Sequence, residues 1–331
     1  MRRREFIALL GGAAVAWPVT AWTQQRERMR RIGVLIDVAA DDPAASDAVA
    51  GLLQGLQELG WAVGRNLQIE YRYGNGDDDR TRKLAMELVA LTPDVVFSRG
   101  GPSVRALQLA TRTVPIVFTA QNDPVGAGIV ATLARPGGNI TGFGGPEYAI
   151  SVKWLELLKE IVPHVKRVAV IRSTRGGVAA FSAIQAVAPS LGVELTPIGV
   201  GVGVADAGEV ERGLAAFVRG PNDGMIVAGS TLAYIIRDPI IALAARHRLP
   251  TVYSGRYWVT AGGLISYSAV TVDHYRRATG YVDRILRGEK PADLPVQTPT
   301  KYETVLNLKT ARALGLRVAD AVRLRADEVI E

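Results

Sequence analysis

The sequence DVVFSRGGPSVRALQLATRTVPIVFTA, residues 94–120, contains the unit from which the architecture can be read. Its segments 94–98 and 115–120 are short apolar runs typical of buried strands, and apolar residues recur at helical spacing over 104–111. A strand, a helix and a second strand in this order predict two parallel strands joined by a helical crossover. The unit therefore indicates an α/β protein with a buried parallel sheet.

The same alternation continues toward the N-terminus. Strands are predicted over 31–38 and 67–73, and the run 44–59 has apolar residues at helical spacing and ends at Gly60. A further helix is predicted over 81–91. Because strands and helices alternate throughout, this half of the chain predicts a parallel sheet with helices on both faces.

The pattern then repeats after residues 142–145, where the two halves meet. The predicted segments are a helix over 151–161, a strand over 167–171, a helix over 178–191, a strand over 193–198, a helix over 209–219, a strand over 224–228, a helix over 232–247 and a strand over 251–253. Two similar doubly wound halves predict two lobes with a ligand cleft between them.

The remaining chain is expected to cross between the lobes. The strand 264–267 and the helix 272–286 fit a return to the first lobe, and the polar, proline-containing segment 289–300 fits a linker back to the second. We therefore expect a first lobe of 28–145 plus 262–290 and a second of 146–261 plus 291–331. Three crossings, near Gly145, Gly262 and Pro291, would form a hinge.

Residues 1–23 have the features of a signal peptide. A basic start precedes an apolar stretch of about a dozen residues and a small-residue exit. Arg3 and Arg4, followed by Glu5, Phe6 and Ile7, resemble the twin-arginine pattern, while the general secretory route stays open because no Ser or Thr precedes the arginines. We expect cleavage between Ala21 and Gln24 and a soluble periplasmic protein.

Composition narrows the classes of function. The 331 residues are 48% hydrophobic and 21% charged, which excludes a disordered chain. The net charge of +7 is scattered apart from the arginines at 26–31, so we expect no nucleic-acid partner. Without cysteine there is no thiol nucleophile or Cys-bound zinc, and three widely separated histidines predict no metal site. We also expect no cofactor.

Candidate ligand residues follow from the rule that ligands bind beyond the carboxyl ends of parallel strands. Small and hydroxyl-bearing residues at these positions would offer amides and hydroxyls to an anionic group, although each could instead be an ordinary helix cap. Tyrosines at strand ends are candidates to stack on a ligand. The candidates are Asp37, Gly101, Ser103, Thr119, Asp123, Ser173, Ser230, Tyr253 and Tyr267.

Signatures of catalysis are missing from the sequence. It contains no phosphate-binding Gly-x-x-x-x-Gly-Lys-Ser/Thr loop and no Gly-x-Ser-x-Gly elbow. The glycine pattern at 126–131 follows Asp123 and Pro124, which interrupt the strand-to-turn context of a dinucleotide site. We therefore expect a binding protein without catalytic residues. An exported α/β enzyme and a ligand-sensing partner of a membrane receptor are the alternatives.

Five stretches carry a resemblance that spans most of the chain. They are DPVG at 123–126, LARPGGNITG at 133–142, KWLELLKE at 153–160, IALAARHRLP at 241–250, and 292–309. In these the chain resembles the substrate-binding proteins of ABC transporters that are related to tryptophan- and tyrosine-binding proteins. The resemblance implies the type I periplasmic-binding fold, with a ligand held in the cleft by strand-end loops. We expect a monomer whose partners are a small molecule and a membrane permease.

The chain departs from the family pattern around the expected pocket. Relatives often have Gly-Thr-Pro-Ala where this chain has Gly100-Gly101-Pro102-Ser103. Ser173-Thr174-Arg175 replaces an Asn-Pro pair, and Ala228-Gly229 replaces a Pro-Asp pair. We expect a small polar ligand, either amino-acid-like or an aromatic carboxylate. Because the departures fall at the expected pocket, the sequence leaves the identity of the ligand open.

Overall fold

Residues 29–145, 148–174, 178–201 and 206–331 are described by a computed structural model, and they form two α/β units. The predicted signal peptide at 1–23 and Arg175 lie outside the described residues. No helix within the described ranges is both long and apolar enough to cross a bilayer.

The first sheet is five-stranded and entirely parallel, in the order β2-β1-β3-β4-β5. Apolar strand residues lie on both faces, with Leu52 of α1 packed on one side and Leu88 of α2 on the other. The elements are β1 (Arg30–Ile36), α1 (Pro43–Glu58), β2 (Leu67–Tyr73), α2 (Asp78–Ala90), β3 (Val95–Arg99), α3 (Gly101–Ala110), β4 (Ile116–Asn122) and β5 (Ile140–Gly145).

The second unit begins with α4 (Tyr148–Ile161), β6 (Arg167–Ser173), α5 (Val178–Val187), β7 (Glu194–Val200), α6 (Ala207–Phe217) and β8 (Asp223–Val227). It continues with α7 (Thr231–Ile235), α8 (Arg237–Arg246), β9 (Thr251–Tyr253), α9 (Arg256–Thr260) and β10 (Ile265–Ala269). After β10 the chain forms α10 (Thr271–Leu286), which packs on the first unit. The second unit ends with β11 (Tyr302–Asn307), α11 (Leu308–Ala313), α12 (Asp320–Arg325) and β12 (Glu328–Ile330).

The second sheet has seven strands in the order β12-β11-β10-β9-β8-β6-β7, and only the β10–β11 pairing is antiparallel. Trp154 of α4 and Ile184 of α5 pack on one face of this sheet. Leu214 of α6 and Leu243 of α8 pack on the other. The expected α/β architecture with two doubly wound lobes is confirmed.

Two of the three expected crossing points are elsewhere. The strand expected at 264–267 in the first lobe is β10, which pairs with β9 and β11 in the second sheet. The chain therefore crosses between Ala269 and Thr271, not near Gly262. After it, α10 packs Tyr275 and Val282 into the same core as Leu52 of the first lobe.

The segment after α10 also stays on the first lobe longer than expected. Gln297 donates its backbone N–H to the Gly142 carbonyl at 3.0 Å, and Gly144 donates to the Gln297 carbonyl at 2.9 Å. Thr141 Oγ1 donates to the Leu294 carbonyl at 2.6 Å. Because this segment is bonded to β5, the last crossing follows Gln297 and precedes β11, not Pro291.

Candidate ligand-binding cleft

The carboxyl-terminal edges of the two sheets face each other, and side chains join them directly. Asp37 follows β1 in the first lobe, and Thr231 is the first residue of α7 in the second. Thr231 Oγ1 donates a hydrogen bond of 2.6 Å to Asp37 Oδ2. Asp37, predicted to contact a ligand, is thus bonded across the cleft to the other lobe.

Asp37 also pairs with a buried arginine that is not among the predicted ligand residues. Arg99, the last residue of β3, donates through Nη1 to Asp37 Oδ1 and through Nε to the Tyr275 hydroxyl, the latter at 3.2 Å. The side chains of Arg99 and Asp37 are 11% and 1% exposed. Burial lowers the pKa of Arg99, but the Asp37 carboxylate and Tyr275 raise it by more, so the guanidinium stays charged.

The N-terminus of α3 lies beside this ion pair. Gly100 has φ +83° and carries the chain past Asp37 so closely that a Cβ atom would collide with the carboxylate. A Cβ on Gly101 would lie 2.8 Å from Gln121 Oε1. Glycine at both positions therefore lets the first turn of α3 approach the ends of β1 and β4.

Ser103 occupies this first turn and is completely buried. Its Oγ has no hydrogen-bond partner within the described ranges, and the same is true of Ser98 Oγ on β3. A buried hydroxyl without a partner is costly, so Ser103 is the candidate whose geometry most directly fits a hydrogen bond to a ligand.

Thr119 and Asp123 shape the loop that follows β4. Thr119 is buried and donates through Oγ1 to the Ser98 carbonyl at 3.3 Å. Asp123 has φ +42° and accepts the Gly126 N–H at 2.9 Å, while Ala120 has φ +54°. Left-handed backbone at two non-glycine residues stores strain of the kind found at binding sites. Both predicted residues make contacts that hold this loop.

In the second lobe, Ser173 ends β6 and is half-buried. Ser230 is the N-cap of α7 and accepts the Ala233 N–H at 3.0 Å. Ser230 therefore already has the helix-capping role that was the alternative to ligand binding.

The two predicted tyrosines lie on opposite faces of the second sheet. Ser266 is in register with Tyr253, so the next residue, Tyr267, points the other way. Tyr253 is 1% exposed and stacks on Trp258 at 5.2 Å between ring centroids. Tyr267 stacks on Tyr302 at 5.6 Å. Each ring already has an aromatic neighbour, and the structure does not bring the two together.

A cavity of about 210 Å³ opens at the rim of the cleft, between Asp42 and Asn75 of the first lobe and Ile235 and Arg237 of the second. In the described part of the chain, this cavity included, no three His, Asp or Glu side chains are grouped as metal ligands would be. The arrangement is that of two lobes meeting at a polar, partly ionic seam.

Comparison with known proteins identifies the class of protein that this fold and cleft define. Residues 32–330 match the family model of the ABC transporter substrate binding protein. The match covers most of the chain, and the protein belongs to this family. The resemblance inferred from its sequence motifs is confirmed, as is the type I periplasmic-binding fold.

Individual relatives agree with this assignment. The chain is 27% identical over 308 residues to a tyrosine-binding protein of Clostridioides difficile (strain R20291), covering 92% of this chain and 84% of the relative. It is 25% identical to an ABC domain from Streptococcus pneumonia solved in complex with L-Trp, with a TM-score of 0.83. That match covers 91% of this chain and 99% of the other.

A third similar structure is the ligand-free, open form of a substrate binding protein with adhesive properties from Clostridium difficile. It is also 25% identical, and the match covers 91% of this chain and 99% of that structure. Its TM-score is 0.69, lower than that of the L-Trp complex. A solute-binding role in an ABC transporter is thus established for the family to which the chain belongs.

Proposed function

We propose that this chain is the periplasmic, monomeric solute-binding component of an ABC-type uptake system. It closes its two lobes on a small polar ligand, either amino-acid-like or an aromatic carboxylate, and leaves the ligand chemically unchanged. The observation that carries the proposal is the meeting of the two sheet edges, where Thr231 of one lobe bonds to Asp37 of the other.

One feature of the first lobe supports a ligand with an anionic head. It does not depend on Arg99, whose buried charge at the end of β3 is already balanced by Asp37. The adjacent N-terminus of the ten-residue helix α3 presents free amide groups together with the unpartnered Ser103 hydroxyl. The names of two relatives, one called tyrosine-binding and one solved with L-Trp, agree with an aromatic amino acid or a similar molecule.

Native mass spectrometry of the purified protein tests the proposal directly. We expect a small molecule that leaves on denaturation and whose mass is unchanged after prolonged incubation with the protein. Calorimetry with L-tryptophan, L-tyrosine and their carboxamides then tests the anionic head, since only the carboxylates should bind tightly. Binding of the carboxamides with equal affinity would exclude recognition of a carboxylate.

Ser103→Ala and Ser230→Ala are expected to have different effects. Ser103→Ala should weaken ligand binding about tenfold to a hundredfold through loss of a hydrogen bond to a charged group. It should leave the free protein's stability nearly unchanged, because its hydroxyl has no protein partner. Ser230→Ala should cost about 1 kcal/mol of stability through loss of the α7 cap. Calorimetry and urea unfolding measure the two effects.

The reverse pattern would contradict this assignment. If Ser103→Ala binds the copurifying ligand as tightly as the parent protein does, the pocket is not at α3. If Ser230→Ala instead weakens binding with no loss of stability, Ser230 contacts the ligand and its capping bond is dispensable.

We also propose that residues 1–23 are a cleaved signal peptide, so that the mature protein starts between Trp22 and Gln25. N-terminal sequencing of the periplasmic fraction should find this start, and a full-length product in the membrane fraction would contradict it. Replacing Arg3 and Arg4 by lysine should stop export by the twin-arginine route. Unchanged export would point to the general secretory route.

A further inference from the structure

Carboxylates of the first lobe accept hydrogen bonds from the second lobe at three places. Besides the Asp37–Thr231 bond, Asp42 Oδ1 accepts the Tyr234 hydroxyl at 2.9 Å, and Asp47 Oδ2 accepts the Tyr257 hydroxyl at 2.5 Å. The acceptors recur every five residues along the end of β1 and the start of α1.

Asp42 is bonded twice across the cleft. Its second oxygen, Oδ2, pairs with Arg237 Nη1 at 3.0 Å, and the two side chains are only 20% and 12% exposed for Arg237 and Asp42. Two cations lie near the Tyr234 ring, with the Arg237 guanidinium carbon 4.8 Å and that of Arg99 6.0 Å from its centroid. In each of these interlobe bonds the acceptor belongs to the first lobe and the donor to the second.

The hydroxyl groups of Tyr234 and Tyr257 stay protonated at physiological pH and can therefore donate these hydrogen bonds. Burial is the main cause that raises the pKa of Tyr234 and of Tyr257, and the bonded carboxylates raise both further. Tyr234 and Tyr257 also contact each other edge to face at 5.9 Å. The contact is therefore a partly buried cluster, and its bonds are stronger than those of exposed ion pairs.

We infer that Asp42, Asp47, Tyr234, Arg237 and Tyr257 form an interlobe latch that sets the balance between open and closed lobes. The latch consists entirely of protein groups, and none of its members is among the candidate ligand residues. It therefore acts by positioning the lobes, and it scales the affinity for every ligand by the same factor.

The size of the effect follows from the two-state balance. A hydrogen bond to a carboxylate shifts an equilibrium about tenfold or more, so losing both tyrosine hydroxyls should shift the open-to-closed ratio about a hundredfold. The apparent dissociation constant rises as the closed fraction falls. A pocket variant, by contrast, changes the affinities of different ligands by different factors.

The test uses a spin-label or fluorophore pair, which is convenient because the chain has no cysteine. Met86→Cys on α2 and Leu324→Cys on α12 place labels at side chains that are 58% and 86% exposed, one on each lobe. The protein is unfolded and refolded to remove bound small molecules. We expect the double variant Tyr234→Phe/Tyr257→Phe to show a longer distance between labels than the parent.

Tyr281→Phe is the matched control, because the Tyr281 hydroxyl donates to the Pro295 carbonyl within the first lobe, at 2.7 Å. It should leave the distance unchanged. Asp42→Asn is a second test of the latch, since asparagine also caps α1 but lacks the charge that pairs with Arg237. If both latch variants fold, as urea unfolding reports, and keep the parent distance, the latch does not exist.

Titration with L-tryptophan and L-tyrosine adds a ligand measurement. If either amino acid binds, its dissociation constant should be higher in the double variant than in the parent. If both bind, the two dissociation constants should rise by the same factor. Unequal factors would mean that the tyrosines contact the ligand, which overturns the positioning role. If neither amino acid binds, the ligand class proposed above is contradicted and the latch is not. The distance between the labels tests the latch without any ligand.

Discussion

Replacing Asp37 by alanine is expected to lower the free energy of unfolding by about 3 to 5 kcal/mol. The variant leaves the Arg99 guanidinium almost fully buried without its counter-charge. It also removes the acceptor of the Thr231 hydroxyl from the other lobe. Urea denaturation followed by circular dichroism measures the loss, and ligand binding should be lost with it.

Two further variants distinguish a buried ion pair from a surface contact. Removing both charges in Asp37→Ala/Arg99→Met should cost much less than the sum of the single changes, because no unpaired charge is left inside. Glu211→Ala is the matched control, since Glu211 pairs with Arg246 where the side chains are 51% and 63% exposed, and it should cost less than about 1 kcal/mol. A loss of that small size in Asp37→Ala would contradict the assignment.

The protein should also lose about 3 kcal/mol of stability between about pH 6.5 and pH 4 through His274 alone. His274 is 8% exposed on α10, and its Nε2 has no hydrogen-bond partner within the described ranges. Burial, and then the Arg277 guanidinium, lower the pKa of His274 from 6.5 to about 4, with Asp273 opposing them. The Phe143 ring of β5 lies 6.1 Å from the imidazole.

The sign follows from which state takes up the proton first. Over this pH range the unfolded chain binds a proton at His274 and the folded chain does not, so acid favours unfolding. The stabilising contribution is complete above about pH 6.5 and is lost as pH falls toward 4. In urea unfolding, His274→Gln should therefore lose less stability than the parent over this range.

Asp and Glu side chains also take up protons as the pH falls, so a second histidine variant serves as the control. His164→Gln removes an exposed histidine from the loop between α4 and β6 and should keep the parent's steep dependence. If His274→Gln loses as much stability in acid as the parent does, His274 accepts a proton in the folded state and its surroundings are wetter than the structure shows.

Much of the fold could be predicted because periodicity reports burial on one or both faces of an element. The crossing points could not, since the strand at 265–269 has the same apolar character whichever sheet it joins. The short elements β5, α9, α12 and β12 were also missed. The β5 sequence ITGFGG resembles a loop, and the others are too short to show a period. The predicted helix 232–247 is interrupted at Ile236, between α7 and α8.

The cleft was located by a rule about strand ends, but its bonding pattern was not. Asp37 does follow a strand, as the sequence indicates, and its contact with a ligand stays a prediction. Its partners Arg99 and Thr231 are 62 and 194 positions away. Such pairings depend on how two lobes dock, and nothing local in the sequence reports them. The one available signal was Arg99 itself, a charged residue separated only by Ser98 from the apolar run 95–97 and followed by two glycines.

The three crossings also have a consequence for how the protein is made. The core of the first lobe includes α10, which begins only at Thr271. The sheet of the second lobe includes β11 and β12, which lie near the end of the chain. A nascent chain that has passed β9 on the ribosome therefore holds two unfinished cores, each exposing apolar surface that only later residues cover. The first lobe can be completed only after Gln297 has emerged, and the second only after β12 has emerged. Both cores are therefore completed late, through contacts distant in sequence, which are slow to form.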